Sequence, residues 1–360
     1  MSELRKDIVT REWVIIAPER EERSGHHPFS VASRPASARP AEPDTASCPF
    51  CPGNEAAEPE TWAWRSPGSP PNSPHWCVRV IPNKYPALSL LRPVSRNDHH
   101  IYDCMTGAGA HELVVETPRH GVNVVAEPVA NLVHVLEAYQ ARYQALSQNP
   151  QIEHVSVFKN HGWEAGASIP HAHSQIVATP VIPQLVWNNK QGQIQYREYR
   201  DTCVYCDVIQ AELSLNERLI ASNDHFVGLS PFAARYPFEI WIVPRRHAAS
   251  FATLSADERL ALAEILHLLL TRLADALDDP PYNYLMVSAP CKMVDQDDSF
   301  HWHMEIIPRL SVVAGFELGS NIFINTVTPE GACSYLRKSP KKKSQNQRAR
   351  ELPHEPTPKL

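Results

Sequence analysis

Two cysteine pairs with the spacing Cys-x-x-Cys are the residues best suited to hold a metal ion. They are Cys48/Cys51 and Cys203/Cys206, and they account for four of the eight cysteines. Two thiolates that leave one tight turn can reach the same ion, and distant histidines can complete the site. Neither pair is predicted to start a helix after a strand, so a redox motif is the weaker interpretation. Ordinary buried cysteines are the other alternative.

The segment His-Ala-His-Ser-Gln, residues 171–175, could carry a nucleophile. In a strand, His171, His173 and Gln175 project to one face, because side chains alternate along it. If His171 binds the metal, His173 keeps a free imidazole, which can attack phosphorus and form a covalent intermediate. The preceding turn is rich in small residues and would let main-chain amides approach a phosphate. The alternative for His-x-His is a strand edge or a metal-binding pair.

The elements that must position these groups are short strands and two long helices. Apolar periodicity predicts helices over residues 126–149 and 255–279, the second opening with a capping box between Ser255 and Glu258. Strands are predicted around EWVIIAP, HWCVRVIP, HELVVET, HVSVFKN, HSQIVATP, FEIWIVP, YNYLMVS and HMEIIPRL. One long helix per half among strands predicts an α+β fold, with a sheet packed on a helix.

An internal repeat relates the two halves of the chain. HELVVETPRH (111–120) aligns with FEIWIVPRRH (238–247), so that Glu112 falls on Glu239, and PHAHSQIVA (170–178) aligns with FHWHMEIIP (300–308). The order in each half is a cysteine pair, a strand ending near a histidine, a long helix and a His-x-His strand. The chain is therefore predicted to be a duplicated domain, with units at 1–195 and 196–337 and a disordered tail at 338–360.

The repeat also nominates the histidines that join each cysteine pair. The two predicted ligand sets are Cys48, Cys51, His120 and His171, and Cys203, Cys206, His247 and His301. Two thiolates and two imidazoles suit tetrahedral zinc, and four protein ligands leave no open position, so we expect one or two structural zinc ions per chain. In the second half Glu305 stands where Gln175 falls in the first, and no glycine-serine turn precedes it. That half is predicted to be structural.

Composition excludes several other classes of protein. The chain has 360 residues, a net charge of −6 and 21% charged residues. An acidic balance argues against nucleic-acid binding, and no apolar run reaches the roughly 18 residues of a membrane helix. The N-terminal residues show no signal-peptide core, so we expect a cytoplasmic protein that binds no membrane. Of 33 prolines, many lie in the first hundred residues, and residues 24–46 are predicted to be a loop-like insert.

Five segments together resemble the galactose-1-phosphate uridylyltransferase family, a branch of the histidine-triad superfamily. They are CPFCPGNE (48–55), PNKYPAL (82–88), VFKNHG (157–162), GASIPHAHSQ (166–175) and AGFELG (314–319). Matching landmarks run from Trp13 to Arg337. The resemblance implies two histidine-triad-like domains, the first catalytic and each an antiparallel sheet with a long packed helix, in a homodimer.

The resemblance also implies a role for each matching residue. His173 would take a nucleotidyl group from a nucleotide sugar, and Gln175 would bind a non-bridging oxygen of the phosphohistidine. Phosphate and ribose contacts would come from Ser168, Gly166, Asn160 and Asn83, and basic residues near the phosphates from Arg20 and Arg23. Phe316 and Glu317 would contact the hexose and complete the site of the partner subunit.

The departures from the family concern the substrates. Galactose-handling members have a lysine and a glutamine around the segment 311–326, and this chain has neither there. Lys292 is a possible substitute, and Lys84 stands where some uridine-specific members carry aspartate. We expect exchange of UMP between UDP-glucose and galactose 1-phosphate through a uridylyl-histidine, with a role in galactose metabolism. The alternatives are adenylyl transfer from ADP-glucose to inorganic phosphate, and a non-catalytic, zinc-stabilised nucleotide-binding protein.

Overall fold

A computed structural model of the chain describes residues 1–20, 45–97, 100–293 and 299–338. Arg23, nearly all of the predicted insert and the chain after Lys338 lie outside the described residues. Within the described ranges, no helix is long and apolar enough to cross a membrane.

Ten strands form one large antiparallel sheet. In chain order they are β3 (Trp62–Arg65), β4 (Trp76–Pro82), β5 (Ala110–Val115), β6 (His154–His161), β7 (His173–Thr179), β8 (Leu219–Ser222), β9 (Phe226–Leu229), β10 (Ile240–Pro244), β11 (Tyr282–Val287) and β12 (His303–Pro308). A smaller sheet contains β1 (Glu3–Lys6), β2 (Trp13–Ile16) and β13 (Phe323–Asn325). The α-helices are α1 (Val129–Ser147), α2 (Gln184–Arg200), α3 (Val204–Leu215), α4 (Ala256–Leu277), α5 (Gly315–Ser320) and α6 (Pro329–Lys338).

The order of the strands confirms the predicted duplication and the α+β fold. The large sheet runs β3-β4-β5-β7-β6 and then β11-β12-β10-β9-β8, so each half repeats the same arrangement about its centre. The halves join where β6 pairs with β11, with Phe158 opposite Leu285. These two residues are also equivalent in the repeat, because Phe158 faces Gln175 and Leu285 faces Glu305. A local two-fold axis therefore passes between them.

The register corrects one detail of the sequence alignment. Leu113 lies opposite Gln175 in the first half, and Trp241 lies opposite Glu305 in the second. Leu113 is thus equivalent to Trp241, and the match of Glu112 with Glu239 was wrong by one residue. The first half has one residue more between this strand and the predicted metal-ligating histidine, which an ungapped alignment cannot show.

One core serves both halves. Helices α1 and α4 are amphipathic and pack against each other over one face of the sheet, where Leu136 and Leu266 belong to the same buried cluster. The predicted capping box opens α4. The proposed boundary at residues 195 and 196 falls inside α2, while the sheet continues from one half to the other. The division into 1–195 and 196–337 stays a prediction.

The other face of the large sheet, here called the outer face, carries the candidate catalytic side chains. Ser174 points towards α1, where its hydroxyl accepts a hydrogen bond of 2.6 Å from Tyr139. Because side chains alternate along a strand, His173 and Gln175 project to the outer face.

We predict that Leu266→Ala destabilises both halves together. Leu266 is fully buried between the helices, and removal of such a side chain costs about 2–5 kcal/mol. Urea unfolding followed by hydrogen exchange should show β4 and β10 losing protection in one transition. Leu260→Ala, an exposed position on the same helix, is the control and should have little effect. Separate transitions for β4 and β10 would contradict a shared core.

Candidate active site and metal centres

Pairing of β6 with β7 aligns two candidate residues on the outer face. Phe158 lies opposite Gln175 and Lys159 opposite Ser174. One residue further along β6, Asn160 comes level with His173. The strand predicted over His-x-His began two residues too early. In the structure β7 begins at His173, and the fully buried His171 precedes it. His171 belongs to the first candidate metal group, and it lines the same pocket as His173.

The imidazole of His173 is oriented by the main chain. Its Nδ1 lies 2.8 Å from the carbonyl oxygen of His171. A carbonyl can only accept, so Nδ1–H donates and Nε2 keeps its lone pair. Burial lowers the pKa of His173, and the positive charge of Lys159 lowers it further, while the hydrogen bond to His171 opposes both. The ring is thus held as a neutral base or nucleophile, packed 5.2 Å from the ring of Phe50.

A buried ion pair supports β7 from the helix side. Lys159 and Glu116 form a salt bridge with almost no solvent exposure. Lys159 also donates to the carbonyl of His173 at 3.3 Å, and the amide of Glu116 donates to the carbonyl of Ala172 at 3.1 Å. The sequence analysis missed this pair. Opposite charges at two strand positions predicted to face the core were the available signal.

Gln175 is oriented by His111, another residue that the sequence analysis missed. The amide of Ala87 donates to Nδ1 of His111 at 3.3 Å, so Nε2 carries the proton. Nε2–H then donates to Oε1 of Gln175 at 2.8 Å, which leaves the NH2 group of Gln175 available to a ligand. Asn83 lies against the same ring: its Nδ2 is 3.1 Å from Nε2 of His111 and forms no hydrogen bond with it in this tautomer, while its Oδ1 accepts from the amide of Tyr85 at 2.9 Å.

A pocket of about 360 Å³ opens beside His173. Its walls include Asn160 and the turn 163–168, which contains a short 3₁₀ helix and Gly166 at φ 92°. A left-handed φ favours glycine there, and a side chain would also meet Asn160. Ser168 is exposed at the pocket. The structure thus brings together four of the predicted phosphate-binding and catalytic positions.

The first predicted metal group has the geometry of a tetrahedral site. Its four ligand atoms lie within 4.8 Å of one another, and they belong to Cys48, Cys51, His120 and His171. The sulfur-to-nitrogen distances are 3.3 Å for Cys51–His120 and 3.6 Å for Cys51–His171, close to the edge of about 3.6 Å that tetrahedral zinc requires. Nε2 of His171 lies 2.7 Å from the carbonyl of Thr117, which leaves Nδ1 for the metal.

The second group repeats this geometry. Cys203, Cys206, His247 and His301 offer four ligand atoms within 4.8 Å of one another. Nε2 of His301 lies 2.9 Å from the carbonyl of Pro244, as His171 does from Thr117. A hydrogen bond with Cys206 lowers the pKa of the Cys203 thiol, and both histidines lower it further against the effect of burial. Cys203 is the N-cap residue of α3, and Cys206 lies in the first turn of this helix. Because α2 and not a strand precedes α3, the pair does not start a helix after a strand, as expected.

In the second half, the equivalent His303 is not among the residues that line the neighbouring cavity of about 560 Å³, although Tyr205, Trp241, Arg235 and Glu305 are. His303 is fully buried, with ring centroids 4.6 Å from Tyr205 and 5.4 Å from Trp241. Glu305 lies 3.3 Å from Nε2 of His303 and forms a salt bridge of 2.6 Å with Arg235. His303, the equivalent of His173, is thus enclosed by aromatic rings and lies beside the ion pair of Glu305 with Arg235.

The other predicted substrate-binding residues that the structure describes are not among the residues that line this pocket. Arg20 and Glu317 do not line it, and Phe316 on α5 is 48% exposed. Lys292 forms a salt bridge with Glu153 at the start of β6. Glu153 and Asn160 are seven residues apart, or about 23 Å along a strand. Within the described part of the chain, Lys292 therefore does not substitute for a cation beside His173.

Comparisons with known proteins agree with this geometry. The sequence profile of the galactose-1-phosphate uridyl transferase N-terminal domain matches residues 1–183, and that of a domain of unknown function matches residues 120–352. The chain is 37% identical to an ADP-glucose phosphorylase of Arabidopsis thaliana, over 93% of this chain and 92% of the relative. It is 29% identical to a galactose-1-phosphate uridylyltransferase of Thermotoga maritima, over 94% and 99%.

Solved structures are similar over the same range. The structure of the Arabidopsis thaliana ADP-glucose phosphorylase with bound ADP-glucose superposes with a TM-score of 0.78 at 35% identity, covering 94% of this chain and 98% of that one. A uridylyltransferase structure gives a TM-score of 0.71 at 26% identity, with the same two coverages.

We predict that each cysteine pair holds one metal ion independently. Cys48→Ser and Cys203→Ser should each lose one equivalent, because a serine hydroxyl replaces a thiolate in a closed four-ligand set. Elemental analysis of the purified chains gives the ratio. Cys104→Ser changes an exposed cysteine outside both groups and should keep the full content. Equal metal content in all three variants would contradict the assignment.

Proposed function

Because the chain belongs to the galactose-1-phosphate uridylyltransferase family, we propose that it transfers a nucleotidyl group from a nucleotide sugar through His173. The observation that carries the proposal is the orientation of this ring: Nδ1–H is held by the carbonyl of His171, and Nε2 is left with its lone pair beside the pocket. A neutral imidazole so held is a competent nucleophile towards phosphorus.

The reaction is a double displacement. Nε2 of His173 attacks the α-phosphorus, a P–N bond forms, and the P–O bond to the β-phosphate breaks, so that the sugar 1-phosphate leaves. An oxygen of a second phosphate then attacks the same phosphorus, and the P–N bond breaks to restore the imidazole. Dividing one transfer into two steps through the same histidine lets two different phosphates take part in turn, the first as leaving group and the second as acceptor.

The neighbouring groups stabilise charge on the phosphates. The NH2 group of Gln175, oriented by His111, donates to a non-bridging oxygen of the α-phosphate. Asn160 and the turn that contains Gly166 and Ser168 bind the remaining phosphate oxygens. Amide and hydroxyl donors that are already oriented require no reorganisation as charge develops, which makes them effective in a transition state.

We favour ADP-glucose as donor and inorganic phosphate as acceptor, which would yield ADP and glucose 1-phosphate. Identity is higher to the ADP-glucose phosphorylase, at 37%, than to the Thermotoga maritima uridylyltransferase, at 29%. The segment 311–326 contains no lysine or glutamine to bind the phosphate of a sugar 1-phosphate. Lys292, the possible substitute, is engaged with Glu153. A small inorganic phosphate needs fewer such contacts than a hexose phosphate.

The second candidate is the exchange of UMP between UDP-glucose and galactose 1-phosphate. The match of residues 1–183 to the uridyl transferase domain favours it. The third candidate, a nucleotide-binding protein without catalysis, is disfavoured because His173, Gln175 and Ser168 are all present, and hydrogen bonds orient the first two.

We propose zinc in both metal groups. A bound zinc ion would link the distant segments of each group and would supply no reactive water, since four protein ligands fill its coordination. In the first group this would hold His171, two residues from the nucleophile.

The assembly and the compartment stay predictions. Phe316 and Leu318, 48% and 77% exposed, offer α5 as a contact in a homodimer whose site they would complete. A cytoplasmic location and the absence of nucleic-acid partners rest on the sequence alone.

We predict that the nucleotidyl adduct forms on His173. Intact-mass spectrometry at alkaline pH, after separate incubation with ADP-glucose and UDP-glucose, should show an adenylyl adduct that inorganic phosphate discharges. His173→Ala should abolish it, and His303→Ala, the equivalent in the second half, should not. A uridylyl adduct discharged by galactose 1-phosphate would establish the second candidate. No adduct from either donor would exclude both.

We predict that His111→Phe slows adduct formation about tenfold. The variant keeps an aromatic ring but removes the donor to Gln175, and the loss of one such hydrogen bond is worth about 1 kcal/mol or slightly more. Rapid-quench kinetics measure the rate, and His75→Phe, at an exposed histidine, is the control. Unchanged kinetics in His111→Phe would show that Gln175 needs no such orientation.

A further inference from the structure

Asn283 on β11 belongs to the second half, yet its side chain reaches the catalytic side of the first. It lies opposite Asn160 in the register of β11 and β6. Its Nδ2 donates to Oδ1 of Asn160 at 2.8 Å and to the carbonyl of Ala165 at 2.8 Å. The NH2 group of Asn283 thus connects Asn160, which is aligned with His173 on the neighbouring strand, to the turn that leads to Gly166.

These two contacts determine how the phosphate-binding groups are presented. Because Oδ1 of Asn160 accepts from Asn283, the NH2 group of Asn160 is directed elsewhere. The Nδ2 atom of Asn160 lies 3.5 Å from the position that a Cβ would occupy on Gly166. The contact with Ala165 holds the last residue of the 3₁₀ helix. The orientation of Asn160 and the position of the turn therefore depend on the same side chain.

The bridge exists in one direction only. In the repeat, Ser156 is equivalent to Asn283, because Ser156 lies opposite Val177 on β7 and Asn283 opposite Ile307 on β12. Val287 occupies the place equivalent to Asn160. An apolar valine cannot take part in such a bridge, so this feature of the second half supports the first half alone.

We propose that Asn283 is a positioning residue for nucleotidyl transfer, acting through Asn160 and the turn 163–168. The proposal rests on the proposed function, since the transferred group is taken to be the nucleotidyl group on His173. It assigns to the second half a part in catalysis beyond stability. A displacement of about 1 Å in such groups can lower a rate about 100-fold.

The first test is Asn283→Asp. This variant keeps the size of the side chain but replaces the donor by an acceptor that faces two other acceptors. We expect formation of the His173 adduct to slow by about 10- to 100-fold, with unchanged metal content. Asn283→Ser, a smaller side chain without repulsion, is the second variant in case the first does not fold. Ser156→Ala, at the equivalent position, is the control and should react as the unaltered chain does.

A double-mutant cycle separates positioning from general stability. In an Asn160→Ala background, Asn283→Ser should slow the adduct step by a smaller factor than it does alone, because the group through which it acts is missing. Equal factors in both backgrounds would overturn the proposal, as would adduct formation at the normal rate in folded Asn283→Asp. If the unaltered chain forms an adduct and either of these two contradicting results is obtained, only the inference about Asn283 fails and the proposed function stands. If it forms none with ADP-glucose or UDP-glucose, the proposed function fails and this inference with it.

Discussion

The antiparallel pairing of β6 with β11 is the interaction on which the rest of the structure depends. It joins the two halves into one sheet about a local two-fold axis between Phe158 and Leu285. The same pairing allows α1 and α4 to share a core, which neither five-stranded half would bury as completely alone. It also sets Asn283 against Asn160, so that stability and the arrangement of the candidate active site have the same origin.

A second constraint couples the first candidate metal group to the proposed nucleophile, His173. His171 and His173 are separated by one residue, but β7 begins only at His173. His171 can therefore turn into the metal group while its carbonyl orients the ring of His173. Lys159 and Glu116 hold the same segment from the helix side. Held in this way, the imidazole of His173 has Nδ1 engaged with the carbonyl of His171, so that Nε2 is the nitrogen left for a ligand.

Duplication has produced two sites of similar scaffold and different chemistry. Both halves keep a Cys-Cys-His-His group with a carbonyl behind the buried histidine. On the outer face, however, Gln175 lies beside His111 in the first half, whereas the equivalent Glu305 pairs with Arg235 in the second. Aromatic rings pack around His303, and its neighbour Glu305 forms an ion pair with Arg235. The four candidate metal ligands are thus of the same types in both halves, while the side chains on the outer face beside them differ.

The sequence by itself determined the parts that depend on neighbours along the chain. The cysteine pairs, the His-x-His segment, the capped helix over α4 and most strands were predicted because spacing and periodicity are local properties. The internal repeat extended this to distant histidines, and both ligand sets came together as predicted. The same reasoning placed Glu112 on Glu239 one residue out of register, since a single added residue between strand and histidine leaves no local trace.

Only the tertiary structure decided which side chains meet across strands. Lys159 with Glu116, His111 with Gln175 and Asn283 with Asn160 are separated by 43, 64 and 123 residues. Each contact exists because a strand register brings two positions together, and register is set by the packing of the whole sheet. Residue types and spacing therefore predicted the nucleophile and the metal ligands, whereas the groups that orient them depended on the pairing of strands.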